Sequence, residues 1–128
     1  DADVLVVHEP LRAVEICPAL KRDLGLRAIA LSALPSLGVA PKREGDGCRA
    51  LVPALAETDF DRLFRAARKE ARLLADPLFF AGARRAGLSR LVPLPHEAAS
   101  GRIWRDATPN IFDGADWSEV LQALQALR

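Results

Sequence analysis

The sequence predicts an α/β fold: a small single domain over residues 1–128 whose mixed or mostly parallel sheet is flanked by helices. A long irregular segment precedes the C-terminal helix. Three observations point there. Short β-branched and leucine-rich runs alternate with stretches of helical apolar spacing, which is the pattern of β-α-β units. At 128 residues the chain is most simply one domain, large enough to bury a core without staples. With 50% hydrophobic and 27% charged residues the composition is that of a folded globular chain and not of a disordered one.

The elements follow in order. Residues 3–8 hold a continuous run, Val4-Leu5-Val6-Val7, of strand length. Pro10 suits the first turn of a helix, where its missing N–H costs nothing. Leu11, Val14, Cys17 and Leu24 give that helix an apolar face, Pro18 should kink or restart it, and Gly25 should stop it. Leu26 to Leu34 is a second strand candidate, completing a β-α-β unit with a right-handed crossover. Residues 35–47 are rich in turn formers, and Asp46-Gly47 is a hairpin signal. Val39-Ala40 and the stretch from Cys48 to Leu55 are its expected arms, confined to a sheet edge by Pro41 and Pro53.

Thr58 with Asp61 marks a helix start. Phe60, Leu63, Phe64, Ala67, Ala71 and Leu74 recur at helical spacing, so this helix is expected to run on to Asp76-Pro77. Asp76 should cap a further helix with Pro77 at its first position and a stop at Gly87. Leu88 to Leu94 reads as a strand. Residues 95–116 show no period, and segments this long are usually functional or mobile. Asp116 and Glu119 mimic a capping box before the apolar stripe Trp117, Val120, Leu121, Leu124 and Leu127. Roughly three to five strands result.

Charge and composition limit the function. A formal net charge of +1 sets up no strong field for nucleic acid or an anionic membrane, so nucleic acid is an unlikely partner and a membrane is not expected. No apolar run approaches the ~20 residues that span a bilayer. Cys17 and Cys48 are too few for a disulfide framework and suit two reduced thiols in a cytoplasmic protein. The chain contains no Met, so either an initiator has been removed or residues upstream are missing.

The two histidines of the chain share one context: each closes a strand-like run and each precedes a glutamate. His8-Glu9 follows the first run and His96-Glu97 follows Leu91 to Pro95. If both runs are parallel strands, two imidazoles and two carboxylates stand at the carboxyl edge, where open α/β sheets bind ligands. Imidazole changes charge near neutral pH and ligates metals. His8, His96 and one of Glu9, Glu97 or Cys48 would make a three-ligand zinc set, although no ligand spacing supports it. The plain alternative is a pair of histidines hydrogen-bonded to backbone at a sheet edge.

Other candidates are weaker. Arg62, Arg65, Lys69 and Arg72 form a basic stripe that could meet phosphates, but interleaved Asp59, Asp61 and Glu70 suggest a solvated face with ion pairs. Lys42 and Arg43, in the Lys42–Gly47 loop, could hold an anion, without any Walker pattern. Glu97, Asp106, Asp113 and Asp116 match no calcium loop. Trp104, Ile111, Phe112 and Trp117 are large anchors of the kind that dominate protein interfaces. With only 5% aromatic residues they are also wanted for the core. There is no nucleophile elbow and no dinucleotide fingerprint.

The stretches from Glu15 to Arg22 and from Leu26 to Ala33 resemble the middle of response-regulator receiver domains, and Arg85-Ala86-Gly87-Leu88 to Pro93 resembles their last helix-strand step. The resemblance implies a signalling module that is not phosphorylated, because His8 stands near the place of the phospho-accepting aspartate. No lysine precedes a proline at the last strand, and the first two strands with their acidic pair are absent.

The expected function is a non-catalytic module that binds another protein, or a second copy of itself, or that regulates a partner. The competing expectation is a small enzyme or small-molecule-binding domain using the His/Glu edge. No cofactor is specified by the sequence.

Overall fold

The structure is a computed structural model that describes residues 2–32, 48–53, 57–94 and 114–127. The elements are β1 (Val4–Val7), α1 (Pro10–Leu24), β2 (Ala28–Ser32), β3 (Cys48–Pro53), α2 (Glu57–Ala66) and β4 (Arg72–Ala75). A 3-10 turn (Pro77–Phe79) then leads into α3 (Phe80–Arg85), followed by β5 (Arg90–Pro93) and α4 (Gly114–Ala126). All pairings among the described residues are parallel, and the strand order is β3-β2-β1-β4-β5. The expected α/β class is therefore found, with parallel pairing throughout the described strands.

The order explains the layers. From β1 to β3 the chain steps in one direction across the sheet, and β4 and β5 are added on the other side of β1. Right-handed crossovers that step in opposite directions must use opposite faces. Accordingly Val4, Val6, Ala28, Ala30, Leu74 and Val92 pack with α1 and α4. Leu5, Val7, Leu31, Leu73 and Ala75 pack with α2 and α3. Every central strand is thus apolar on both sides, which is why these runs read as continuous and not alternating.

Helix α1 begins where Pro10 allows it to. Glu9 is its N-cap, with a carboxylate oxygen accepting the Arg12 N–H at 3.1 Å, and Gly25 ends it in the left-handed region at φ 69. The expected restart at Pro18 does not occur: α1 is one helix of 15 residues that runs through it. Ile16, Cys17 and Leu20, buried around the proline, hold the helix to the sheet; the Leu11 and Val14 side chains lie outside the described residues. A proline there still forfeits one helical hydrogen bond. Pro18→Ala is expected to raise the unfolding free energy by about 1–3 kcal/mol, read as a later urea midpoint. An unchanged midpoint would show that the lost bond is fully compensated.

The stretch from Cys48 is strand β3, which pairs parallel with β2, and Pro53 sits on the edge strand of the described sheet as predicted. The expected hairpin partner, Val39-Ala40, lies outside the described residues. One further expectation is corrected. The helix from Thr58 does not reach Asp76. It starts at Glu57 and ends at Ala66, and Arg72–Ala75 is strand β4, paired with Val4, Leu5 and Val6. Burial on both faces decides this, because Leu73 and Leu74 are both fully buried in different clusters. The order also differs from the 2-1-3-4-5 arrangement of receiver domains, so the local resemblance does not extend to the fold.

The remaining elements lie close to expectation. Asp76 caps the turn at Pro77, and Gly87 takes a positive φ of 91 after α3. Asp116 lies within the first turn of α4 instead of capping it, since the helix starts at Gly114. Val120 and Leu124 are buried against α1, as the stripe predicted.

Candidate functional site

The strand order puts a reversal point between β1 and β4, whose carboxyl ends therefore border the crevice where open α/β sheets take ligands. Three polar residues stand there. In register, Val7 pairs with Leu31 and Val6 with Leu74. The ladder goes one step further, with the His8 N–H donating to the Leu31 carbonyl at 3.2 Å and the Leu94 N–H to the Ala75 carbonyl at 2.7 Å. Ser32, His8, Asp76 and Leu94 thus form one row across four strands. Side chains alternate along a strand. Because Val6, Ala30, Leu74 and Val92 face α1, this row lies on the same side, at the rim of that cluster and beside the start of α1.

Ser32 (0% exposed), His8 (6%) and Asp76 (2%) are the buried polar residues among those described. Each has a partner, as buried polar groups must. Asp76 accepts the Leu78 N–H at 2.9 Å, which caps the 3-10 turn. The Nδ1 atom of His8 accepts the Glu9 N–H at 2.8 Å. That bond needs the Nδ1 lone pair, so the neutral ring in this geometry holds its proton on Nε2. His8 is then a donor through Nε2 and is not set up as a base through Nδ1.

Glu9 gives the site a second character. In nucleotide-binding α/β folds the helix after β1 offers its N-terminal N–H groups to phosphate. Here the Glu9 carboxylate occupies that position, Pro10 removes one N–H, and Arg12 lies 3.9 Å from the same oxygen. A phosphate would meet a carboxylate already seated there.

The other sequence candidates fall into two groups. His96, Glu97, Trp104, Ile111, Phe112, Lys42 and Arg43 lie outside the described residues, as does the Cys48 side chain, so of the two His-Glu pairs the structure describes His8-Glu9. Trp117 is described: it packs against the α1-side cluster, and its indole N–H donates to Asp23 at 2.9 Å. Cys17 is a buried thiol that donates to the Ala13 carbonyl at 3.2 Å. Among the described residues no group of three or more His, Cys, Asp or Glu is placed to hold a metal ion. The basic stripe is divided. Arg62 and Arg65 pair with Asp59 and Asp61 on α2, Lys69 donates to the Ala86 carbonyl, and Arg72, on β4, donates to the Leu124 carbonyl.

Sequence reasoning does not place Ser32 and Asp76 in one row with His8. Each ends a buried run, but the residues of β4 continue the helical spacing of α2, so the sequence does not mark Asp76 as part of the edge.

Asp23 provides a pH test of the α1–α4 contact. Its hydrogen bond with Arg22, and then that with Trp117, hold its carboxyl down at about 2. A depressed folded-state value means that the unfolded chain protonates first as pH falls. The stabilisation is complete above the ordinary Asp value of ~4 and is lost as pH falls from there towards 2. In a Trp104→Phe background, Trp117 emission and the urea midpoint are expected to change together across that window. Asp23→Asn should flatten the part of the change due to this contact; an identical pH profile in that variant would remove Asp23 from the explanation.

No protein-family model, curated protein or solved structure matches this chain.

Proposed function

We propose that the chain is a non-catalytic small-molecule-binding domain whose ligand lies at the carboxyl edge between β1 and β4, and that this ligand is polar and free of phosphate. One observation supports the reading: the buried row Ser32–His8–Asp76 at the point where the strand order reverses. Among the described residues burial is otherwise apolar, so the desolvation cost of a hydroxyl, an imidazole and a carboxylate is concentrated at one place. In this geometry Nε2 of His8 is a donor and the Asp76 carboxylate an acceptor, while the Ser32 hydroxyl can serve as either. That set suits a hydroxyl- or amine-bearing molecule. Glu9 at the start of α1 argues against phosphate.

A second reading, binding of another protein or a second copy, is favoured by Leu78. It is the exposed large hydrophobic residue among those described, at 65%, and it follows Asp76 on the same edge. A regulatory module that presents this edge to a partner joins the two readings. A cytoplasmic setting accords with the buried thiol of Cys17. No helix among the described residues is long and apolar enough to cross a membrane.

The test is native mass spectrometry of the purified protein, followed by thermal shifts with ribose, spermidine, ATP and NAD+. A co-purified phosphate-free molecule, or stabilisation by ribose or spermidine that Asp76→Asn abolishes, supports the reading. Greater stabilisation by ATP or NAD+ would overturn the phosphate-free assignment. A bare dimer mass with no thermal shift would move the function to the Leu78 surface.

A further inference from the structure

A cavity lies on the α2 side of the sheet, opposite the face that carries the Ser32–His8–Asp76 row and towards the amino end of the strands. It has a volume of about 180 Å³ and is bounded by Leu5, Ile29 and Leu31 from β1 and β2 and by Leu63 and Ala67 from the α2 side, with Arg68 at its margin. Apart from Arg68 these side chains are apolar. Ile29, Leu63 and Ala67 are only partly buried, although they pack against the α2-side cluster. The apolar surface is therefore incompletely covered among the described residues, next to a cation. For scale, a cavity of roughly 150 Å³ lined by aliphatic and aromatic side chains stays dry and accepts benzene.

Arg68 is an exposed residue that follows the end of α2. Among the described residues its guanidinium makes no hydrogen bond or ion pair, unlike Arg62 and Arg65, six and three residues earlier. Asp3 feels the Arg68 charge, but its hydrogen bonds are with Arg27, Oδ2 accepting from the backbone N–H at 2.9 Å and from Nε at 3.2 Å. The guanidinium thus has five donors and a fixed charge to offer an incoming anion.

We infer that this cavity binds a small hydrophobic monocarboxylate, its apolar body against Leu5, Ile29 and Leu63 and its carboxylate on Arg68. The size limits the body to about one aromatic ring or a short branched chain. The charge at the margin calls for an anion, and the lining provides nothing polar for a larger headgroup. The site is separate from the Ser32–His8–Asp76 edge: it lies on the opposite face of the sheet, and neither depends on the other.

The probes are benzoate and its uncharged isostere benzamide, added to the full 128-residue chain and followed by methyl NMR. Benzoate is expected to shift the methyl signals of Leu5, Ile29 and Leu63 saturably and to bind about tenfold more tightly than benzamide, as a charge-assisted pair would. Arg68→Gln, at an exposed position and so harmless to folding, should bring benzoate down to the benzamide affinity. Ala67→Leu should fill the cavity and abolish both. Equal binding of the two probes, unaltered benzoate affinity in Arg68→Gln, shifts confined to other methyl groups, or no saturable shift at millimolar benzoate would each overturn the assignment.

Discussion

Leu74→Ala is expected to lower the unfolding free energy by about 3–4 kcal/mol. Leu74 is fully buried in β4, facing α1, in contact with the cluster that includes Val6, Ala30 and Val92. Truncation removes apolar area and leaves a cavity that rigid neighbouring strands cannot close, so the cost should lie towards the upper part of the usual range. Leu73→Ala, on the other face of the same strand, should cost a similar amount, because Leu73 is equally buried in the α2-side cluster. The two losses should nearly add, since the side chains share no cluster. Leu78→Ala, at an exposed position, should change stability by no more than about 0.5 kcal/mol. Urea denaturation of the four proteins checks this set. A loss below about 1 kcal/mol at either leucine would mean that Arg72–Ala75 is not a strand buried between two layers.

Asp76→Ala should cost about 2 kcal/mol, from loss of the cap on the Pro77–Phe79 turn and of an acceptor inside the row. Asp76→Asn retains an oxygen that can accept the Leu78 N–H and should cost about half as much. The pair separates structure from function. Stability should follow the acceptor, which asparagine keeps; ligand stabilisation should follow the carboxylate, which both variants lose. Ligand binding by Asp76→Asn at wild-type strength would reduce Asp76 to a cap and leave His8 and Ser32 as the remaining polar groups of the edge.

Much of the fold was legible because local chemistry and tertiary context agree. Val4 to Val7 is too short and too β-branched to be a surface helix. Glu9-Pro10 and Gly25 bracket α1, and Asp76-Pro77 and Gly87 bracket the 3-10 turn and α3. Where they disagree, the reading failed. Phe60 to Leu74 keeps a helical period past Ala66 by coincidence, and only pairing with β1 makes Arg72–Ala75 a strand. Cys48–Pro53 carries the proline of an edge strand, but nothing local announces its parallel pairing with β2. For the site, His8 and Glu9 were visible as an unusual pair, yet their roles were not. A histidine whose Nδ1 takes the next amide, and a glutamate that caps a helix, are products of backbone direction after β1.

By itself the sequence determined which segments are apolar enough to be buried, where the punctuating Pro, Gly and Asp residues break them, and hence the α/β class. Those properties depend on side-chain hydrophobicity and on allowed φ, which act over a few residues. Only the tertiary structure decided the order β3-β2-β1-β4-β5, the faces used by the helices, and the meeting of Ser32, His8 and Asp76. Parallel strands gain their hydrogen bonds from partners far away in the chain. The residues that share a row at the carboxyl edge are therefore set by register and strand order, and no local pattern records either one.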